Sequence, residues 1–414
     1  MALIGRAAAS SALRRWSCAA ERLVQHSQRR LATVAVGISG GVDSAVAALL
    51  LKRQGHEVIG LHMRSWDVKD ESVPEGEMSC VEKERHDAER LCRHLGIGFH
   101  EVDFVREYWS LVFEPFLQSY RHGTTPNPDV ACNRYIKFDL FHQHALSLGA
   151  QHVATGHYAR LRRDERTGRM QLLKAVDESK DQSYFLSCVQ QQALPQVIFP
   201  LGGLPKVEVR RLAREAELHV ASKKDSVGIC FVGKRRFGRF IAEYLECTSG
   251  PFVCVETGMT VGTHRGHPLY TPGAKARIGG LAEQEDRKKW YVVAKSAQEN
   301  TVYVCLGADH RALKTSALLT DTPSWVAGDA PDALRLANES VLRCQARVRY
   351  QQPLNACEVR LSEDRLDVAF EQPIDYVAEQ QVLAMYDGEV CLGGATISQR
   401  LENVMPLEGV QIHG

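Results

Sequence analysis

Apolar residues come in short blocks along the first half of the chain, and two spacings alternate. Thr33–Ile38 (TVAVGI) is a β-rich run of strand length. Val42–Arg53 carries Val, Ala and Leu at helical spacing and stops near Gly55. Val58–Met63 (VIGLHM) predicts a second strand, Glu82–Leu95 a helix full of charge pairs closed by Gly96, and Phe99–Phe104 a third strand. Glu107–Arg121 reads as an aromatic-rich helix ending at Gly123. After TTPNPDVACN, Ile136–Leu148 is helical and His152–Thr155 is a strand running into GHYAR. Strands alternating with helices predict a parallel sheet covered on both faces. Such sheets bind ligands at the carboxyl ends of their strands, where the Gly37 loop, Met63 and Gly156 fall.

The texture changes from about Phe252. Apolar runs become short and are separated by Gly, Pro and Asp. Alternation appears in VLRCQARVRY (Val341–Tyr350), then in CEVRL, LDVAF and EVCLGG. This pattern predicts a small antiparallel barrel or sandwich.

Composition narrows the options. With 414 residues and 44% hydrophobic content the chain is long enough for two or three domains. A net charge of +1 excludes a generally basic protein, so any nucleic-acid site is a local patch. No apolar run approaches the ~20 residues that span a bilayer. The first thirty residues set six arginines (Arg6, Arg14, Arg15, Arg22, Arg29, Arg30) against one acid, Glu21, among Ala and Ser. That is the composition of a mitochondrial transit peptide, which places the mature protein in the matrix. Twelve cysteines spread over this length, without a secretion signal, do not suggest a disulfide scaffold, and none has convincing zinc spacing.

The most informative stretch is GISGGVDSAVAA (Gly37–Ala48). A Walker loop needs a lysine to reach the outer phosphates, and this loop has none. Ser39-Gly40-Gly41-Val42-Asp43-Ser44 offers backbone amides, two hydroxyls and a helix N-terminus, which together favour an anion. Asp43 could orient Mg²⁺ or a hydrogen bond. SGGVDS between a strand and a helix resembles the PP-loop of the ATP pyrophosphatases, which cleave ATP between the α and β phosphates. A second stretch, TTPNPDVACNRYIKF (Thr124–Phe138), has Pro126 and Pro128. These predict an extended, stiff loop presenting Asn127, Asp129 and Cys132 ahead of a helix. A third, KKDSVGICFVG (Lys223–Gly233), puts Cys230 just after two lysines, and positive neighbours raise a thiol's thiolate fraction. A lone cysteine is usually a small buried hydrophobe. Cys132, among Pro-stiffened and polar residues, fits that reading poorly, whereas Cys230 taken singly reads as a buried strand cysteine.

Together with GHYAR (Gly156–Arg160), KDQSYFL (Lys180–Leu186) and FPLGGLPKVEVR (Phe199–Arg210), these stretches resemble the tRNA-specific 2-thiouridylase family, bacterial MnmA and its mitochondrial counterparts. The resemblance runs from about Val34 to Gly394. It implies an α/β fold, with a parallel-sheet PP-loop domain (adenine nucleotide alpha hydrolase-like) over 31–236. A small central domain over 237–306 and a C-terminal antiparallel β-barrel over 307–414 follow. It also implies that ATP, with Mg²⁺ expected, activates the C2 oxygen of a wobble uridine that sulfur then replaces. Residue by residue, Gly37, Ile38, Ser39, Gly40, Gly41, Val42, Asp43 and Ser44 would hold the ATP phosphates, and Met63 and Gly156 would contact the nucleotide. Cys230 would carry a persulfide with Cys132 as its catalytic partner. Asn127, Pro128 and Asp129 would meet the target base. His157, Lys180, Asp181 and Gln182, and more loosely Arg349, Tyr350 and Gln381, would face tRNA. The implied partners are tRNA, a persulfide sulfur donor and a thiol reductant, with no membrane. Asp129 could act as general acid or base or simply cap a turn. The persulfide could attack C2 directly or first release sulfide.

Between Pro205 and Phe240 there are ten Lys/Arg against four acids, a surplus of six that suits phosphate contacts. The chain departs from the family pattern at Ala274 and Lys275, where Gln and Arg are usual, and at Val227 and His62. Two rivals differ in class. One is another PP-loop ligase or amidotransferase, which has no need of two thiols. The other is a silent RNA-binding protein, which would not form AMP.

Overall fold

The computed structural model describes residues 32–67, 78–225, 231–232, 235–278, 288–335 and 340–401. Residues 1–30, read as a presequence, and Cys230 lie outside the described residues.

The first strands are β1 (Thr33–Gly37), β2 (Glu57–Arg64), β3 (Gly98–Asp103) and β4 (His152–Ala154). A hairpin of β5 (Arg160–Arg163) and β6 (Met170–Leu173) follows, then β7 (Val197–Ile198). The parallel sheet has the order β3-β2-β1-β4-β7. Alternation within β1 sends Val34 and Val36 to one apolar cluster, against the helix Val42–Arg53, and Ala35 to another on the opposite face. The sheet is therefore covered on both sides, as the sequence predicts. The helix Cys80–Leu95 starts with a capping box. Ser79 Oγ accepts from the Glu82 amide at 3.0 Å, and Glu82 accepts from the Ser79 amide at 2.8 Å.

The chain runs β1, β2, β3 outward in one direction and returns to place β4 on the other side of β1. That reversal leaves a crevice between the carboxyl ends of β1 and β4. The SGGVDS loop follows β1 and Gly156 follows β4, so the topology alone brings them together.

The central unit contains β8 (Gly250–Cys254), β9 (Thr260–His264), β10 (Lys275–Ala276), β11 (Trp290–Ser296) and β12 (Thr301–Leu306). They form one sheet of order β10-β11-β12-β8-β9, antiparallel except for the β12–β8 pair. The last strands are β13 (Lys314–Thr320), β14 (Ser324–Trp325), β15 (Leu342–Arg347), β16 (Asn355–Ser362), β17 (Arg365–Asp375), β18 (Val382–Asp387) and β19 (Val390–Leu401). Their order is β13-β17-β16-β15-β18-β19, and β13 also pairs with β19, which closes the barrel. Val359, Leu383, Met385 and Ile397 fill its interior.

The β5–β6 hairpin lies in the first domain by sequence. By hydrogen bonding it extends the barrel sheet, Leu172 pairing with Cys391 and Leu173 with Val390. Arg160 and Arg162 both clamp Glu389, at 2.7 and 2.9 Å. Among the described residues no helix is long and apolar enough to cross a membrane.

Candidate functional site

Gly37 ends β1, and Ile38 extends its register by donating its amide to Leu61 O at 2.9 Å. Gly41 then caps the helix Val42–Arg53. Ser44 Oγ accepts from the Ser39 amide and touches Ser39 Oγ, both at 3.2 Å, and donates to Gly41 O at 3.1 Å. These bonds curl the loop over the start of a twelve-residue helix, whose amide end favours phosphate. Gly40 has φ +70°, and a Cβ there would lie 2.5 Å from Glu84 O. Gly156 is packed so tightly that a Cβ would lie 2.7 Å from Ser44 N and 2.8 Å from the Asp43 carbonyl carbon. The two ends of the crevice are thus in backbone contact.

The lysine absent from the loop arrives from elsewhere. Lys206, the first residue of the helix Lys206–Glu215, reaches both oxygens of Asp43 at 2.7 and 2.8 Å. Its Nζ also lies 2.9 Å from Asp225 and above the Tyr158 ring. The buried Tyr158 hydroxyl donates to Asp43 at 2.7 Å. Asp225 further binds Lys180 at 2.8 Å and Arg210 at 2.6 Å. Burial would raise the Asp225 carboxyl, but the hydrogen bonds of Lys180 and Lys206 overcome it and bring it down to about 2. Lys223 donates to Gly40 O at 2.9 Å and to Asp87 at 2.7 Å. The lysine read from sequence as a neighbour of the Cys230 thiol therefore braces the phosphate loop. Lys206, Tyr158 and Asp225 escaped the sequence reading. A signal existed: Pro205-Lys206 opens a helix inside FPLGGLPKVEVR, and a cation at a helix start opposes the dipole.

The Thr124–Phe138 stretch is not an extended loop. Asn127 caps a helix that begins at Pro128, its Oδ1 accepting from the Val130 amide at 3.3 Å. Proline suits the first helical position, where its missing N–H costs nothing. Asp129 and Cys132 therefore stand on the helix itself. Cys132 begins a wide, π-type stretch (Cys132–Leu140) and is 4% exposed in an apolar cluster with Ile136, Phe141 and Trp66. Phe231, the neighbour of Cys230 in sequence, is buried in that same cluster. It lies 5.5 Å from the Trp66 ring and 5.0 Å from Phe113. Met63 packs at the edge of the same cluster. Burial raises the Asp129 carboxyl, with Lys137 opposing.

The residues expected to face tRNA divide. His157 is half-buried beside Thr155 Oγ1 at 2.7 Å, and burial, aided by Lys137, holds it well below its ordinary value, so the ring is neutral. Asp181 is 2% exposed. It accepts from the Ala175 amide and Ser183 Oγ and lies 3.6 Å from Arg347, so it is a structural group. Gln182 accepts from the Tyr158 amide at 2.9 Å. Gln381 clamps the approach to Pro128 from the barrel side, donating to Thr125 O at 2.7 Å and Pro126 O at 3.2 Å, and accepting from Asn127 at 3.3 Å. Tyr350 packs on Phe185 and Arg349 over Tyr376. The basic surplus of 205–240 is smaller than the count implies. Lys206, Arg210, Arg211, Lys223 and Arg235 all sit in ion pairs. Among the described residues no group of three or more His, Cys, Asp or Glu is placed to hold a metal ion.

A parallel sheet with SGGVDS at its switch point, followed by two small β units, defines a PP-loop α/β protein with a central barrel-like domain and a C-terminal antiparallel β-barrel. Residues 32–234 match the tRNA methyl transferase HUP domain, residues 238–306 the tRNA methyl transferase PRC-barrel domain, and residues 315–397 the aminomethyltransferase beta-barrel domain. The chain is 44% identical over 366 residues to the tRNA-specific 2-thiouridylase MnmA of Staphylococcus carnosus, covering 88% of this chain and 94% of that one. It is 45% identical to the namesake from Methylococcus capsulatus, over 88% of this chain and 95% of that one. With the Bordetella avium protein the figures are 44%, 91% and 100%. The chain belongs to the tRNA-specific 2-thiouridylase (MnmA) family.

Proposed function

We propose that this enzyme 2-thiolates the wobble uridine of mitochondrial tRNAs for Lys, Glu and Gln, consuming ATP and a persulfide sulfur and yielding AMP and pyrophosphate. ATP supplies the leaving group, since transfer of AMP to the C2 oxygen makes a poor leaving oxygen displaceable. The amides of Ser39–Ser44 and the hydroxyls of Ser39 and Ser44 suit the phosphates, and Lys206 supplies the cation that the loop lacks. Asp43, now paired with Lys206, is the loop carboxylate that would hold a Mg²⁺ ion bound with the phosphates, where the ion would neutralise phosphate charge. Met63 and Gly156 line the nucleotide's side of the crevice.

Cys230 carries the persulfide. The new sulfur attacks C2, and AMP leaves with the old oxygen. Cys132 attacks the Cys230 sulfur and breaks the persulfide S–S bond, either after the terminal sulfur has bonded to C2 or beforehand to release the sulfide that attacks. The resulting Cys132–Cys230 disulfide is opened by a thiol reductant. The observation that supports this reading is the burial of Phe231, the residue after Cys230 in sequence, in the apolar cluster that holds Cys132. Asn127, Pro128 and Asp129 meet the base, and the raised Asp129 carboxyl suits a general acid. A wobble base stands in a single-stranded loop and can be splayed out toward such a site.

The test is sulfur transfer to unmodified mitochondrial tRNA with ATP and a persulfide donor. Cys132→Ser and Cys230→Ser are expected to lose thiolation, and full activity in either overturns the two-thiol route. Residues 1–30 direct the chain to the mitochondrial matrix. A chain lacking them should stay in the cytosol, and its import would refute the presequence.

A further inference from the structure

Cys344 on β15 and Cys357 on β16 are direct partners in the antiparallel ladder. Their sulfurs face each other at 3.7 Å, and the Cys357 thiol also lies 3.6 Å from Cys344 O. Direct partners in such a ladder have Cα atoms about 4.5–5.5 Å apart, inside the roughly 4.4–6.8 Å window that a disulfide spans. The sulfurs need only close from 3.7 Å to about 2.0 Å by side-chain rotation, with both strands in place. Cys344 is half-buried and Cys357 faces the barrel core beside Val359 and Val368. Neither belongs to the sulfur-transfer site.

We propose that Cys344 and Cys357 form a peroxide-sensitive cross-strand dithiol that closes into an intrachain disulfide. Cys344, the more accessible thiol, loses its proton and attacks one oxygen of hydrogen peroxide. The O–O bond breaks, the departing hydroxide takes up that proton as water, and Cys344 becomes a sulfenic acid. Cys357 then attacks the Cys344 sulfur. The S–O bond breaks, hydroxide leaves as water with the Cys357 proton, and the S–S bond forms. Two thiols lose two electrons in total and one peroxide becomes two waters. The hydrogen bond with Cys344 and then burial keep the Cys357 thiol above its ordinary value, which fits the order of attack.

The position gives the bond a consequence. It lies in the middle of the β15–β16 ladder, whose connecting tip carries Tyr350 against Phe185 and Gln351 donating to Ser179 O at 3.2 Å. Arg347, between the thiol and the tip, faces Asp181. Oxidation therefore staples the hairpin directly below its contact with the PP-loop domain.

The experiment treats the folded, full-length chain with hydrogen peroxide, alkylates remaining thiols and digests with trypsin. Cleavage around Cys344 and Cys357 gives CQAR and YQQPLNACEVR. The expected product is these two peptides joined, two hydrogens lighter than their sum and separated by dithiothreitol. Cys344→Ser and Cys357→Ala chains should each yield none. Recovery of the two peptides separately alkylated or separately oxidised overturns the proposal. So does a joined product that forms only when the chain is unfolded in urea beforehand.

Discussion

Replacing Lys206 by Met keeps most of the side-chain volume and removes the charge that joins Asp43 to Asp225. The lysine side chain is 12% exposed and the two carboxylates 31% and 29%. Breaking a fully buried ion pair costs about 3–5 kcal/mol, and an exposed pair contributes about 0–1 kcal/mol. With two carboxylates nearly a third exposed, about 1–3 kcal/mol is expected. Asp225 keeps Lys180 and Arg210, whereas Asp43 keeps the Tyr158 hydroxyl, so the loss falls mainly on the phosphate loop. The pH dependence has a definite sign. Asp225 is lowered from 3.8 to about 2. Its contribution is complete above its unfolded value and fades as pH falls through the folded one. Without Lys206 the folded value rises toward the unfolded one, so Asp225 contributes less at neutral pH and the variant loses less further stability than the parent as pH falls below about 4. AMP formation should fall by about 10²–10³-fold, the usual effect of removing one preorganised charge-stabilising donor. Urea unfolding between about pH 3 and pH 7, alongside tRNA-dependent AMP release, reads both effects. Parental unfolding midpoints together with parental AMP release would refute the role of Lys206. Lys206→Arg tests geometry separately, because a planar fork does not reproduce a point charge shared by two carboxylates.

Three other outcomes follow from single contacts. Gly156→Ala forces a methyl within 2.7 Å of the Ser44 amide nitrogen, so the loop must shift. We expect a cost of about 1–3 kcal/mol and weaker ATP binding by calorimetry, and unchanged affinity would count against the crevice. Gln381→Ala removes three hydrogen bonds around residues 125–127. Thiolation should slow while ATP affinity stays put, and loss of both would place the residue elsewhere in the cycle. If Asp129 donates a proton, thiolation declines as pH rises through its raised carboxyl value. Asp129→Asn should flatten that arm of the pH–rate profile, and an unchanged arm would return Asp129 to a purely local role.

Much of the α/β sheet was legible because its periodicities are local. The helix Val42–Arg53 has the bounds its apolar spacing predicts, and β1, β2 and β3 differ from expectation by a residue or so at their ends. The error at Pro128 came from reading proline as a breaker, when at the first turn it starts a helix beneath an Asn cap. That changed the setting of Cys132 from a stiff loop to a buried helical turn. The Lys206–Asp43 bond spans 163 positions and the Gln381 clamp about 255. No window along the chain contains either. The β5–β6 hairpin was missed for a related reason. RLRR and MQLL carry little strand signal, and their partner strand lies far downstream.

That hairpin sets a schedule for synthesis. Leu172 leaves the ribosome 219 residues before its ladder partner Cys391 (391 − 172). At about 5–20 residues per second the wait is roughly 10–45 s. During it β6 exposes an unpaired edge, the kind of template that recruits a strand from a neighbouring chain. The first domain is therefore finished by β19, the last strand among the described residues. A fragment cut at the sequence boundary near residue 236 would carry that open edge permanently, so it is expected to associate or aggregate through β6 where the longer chain does not.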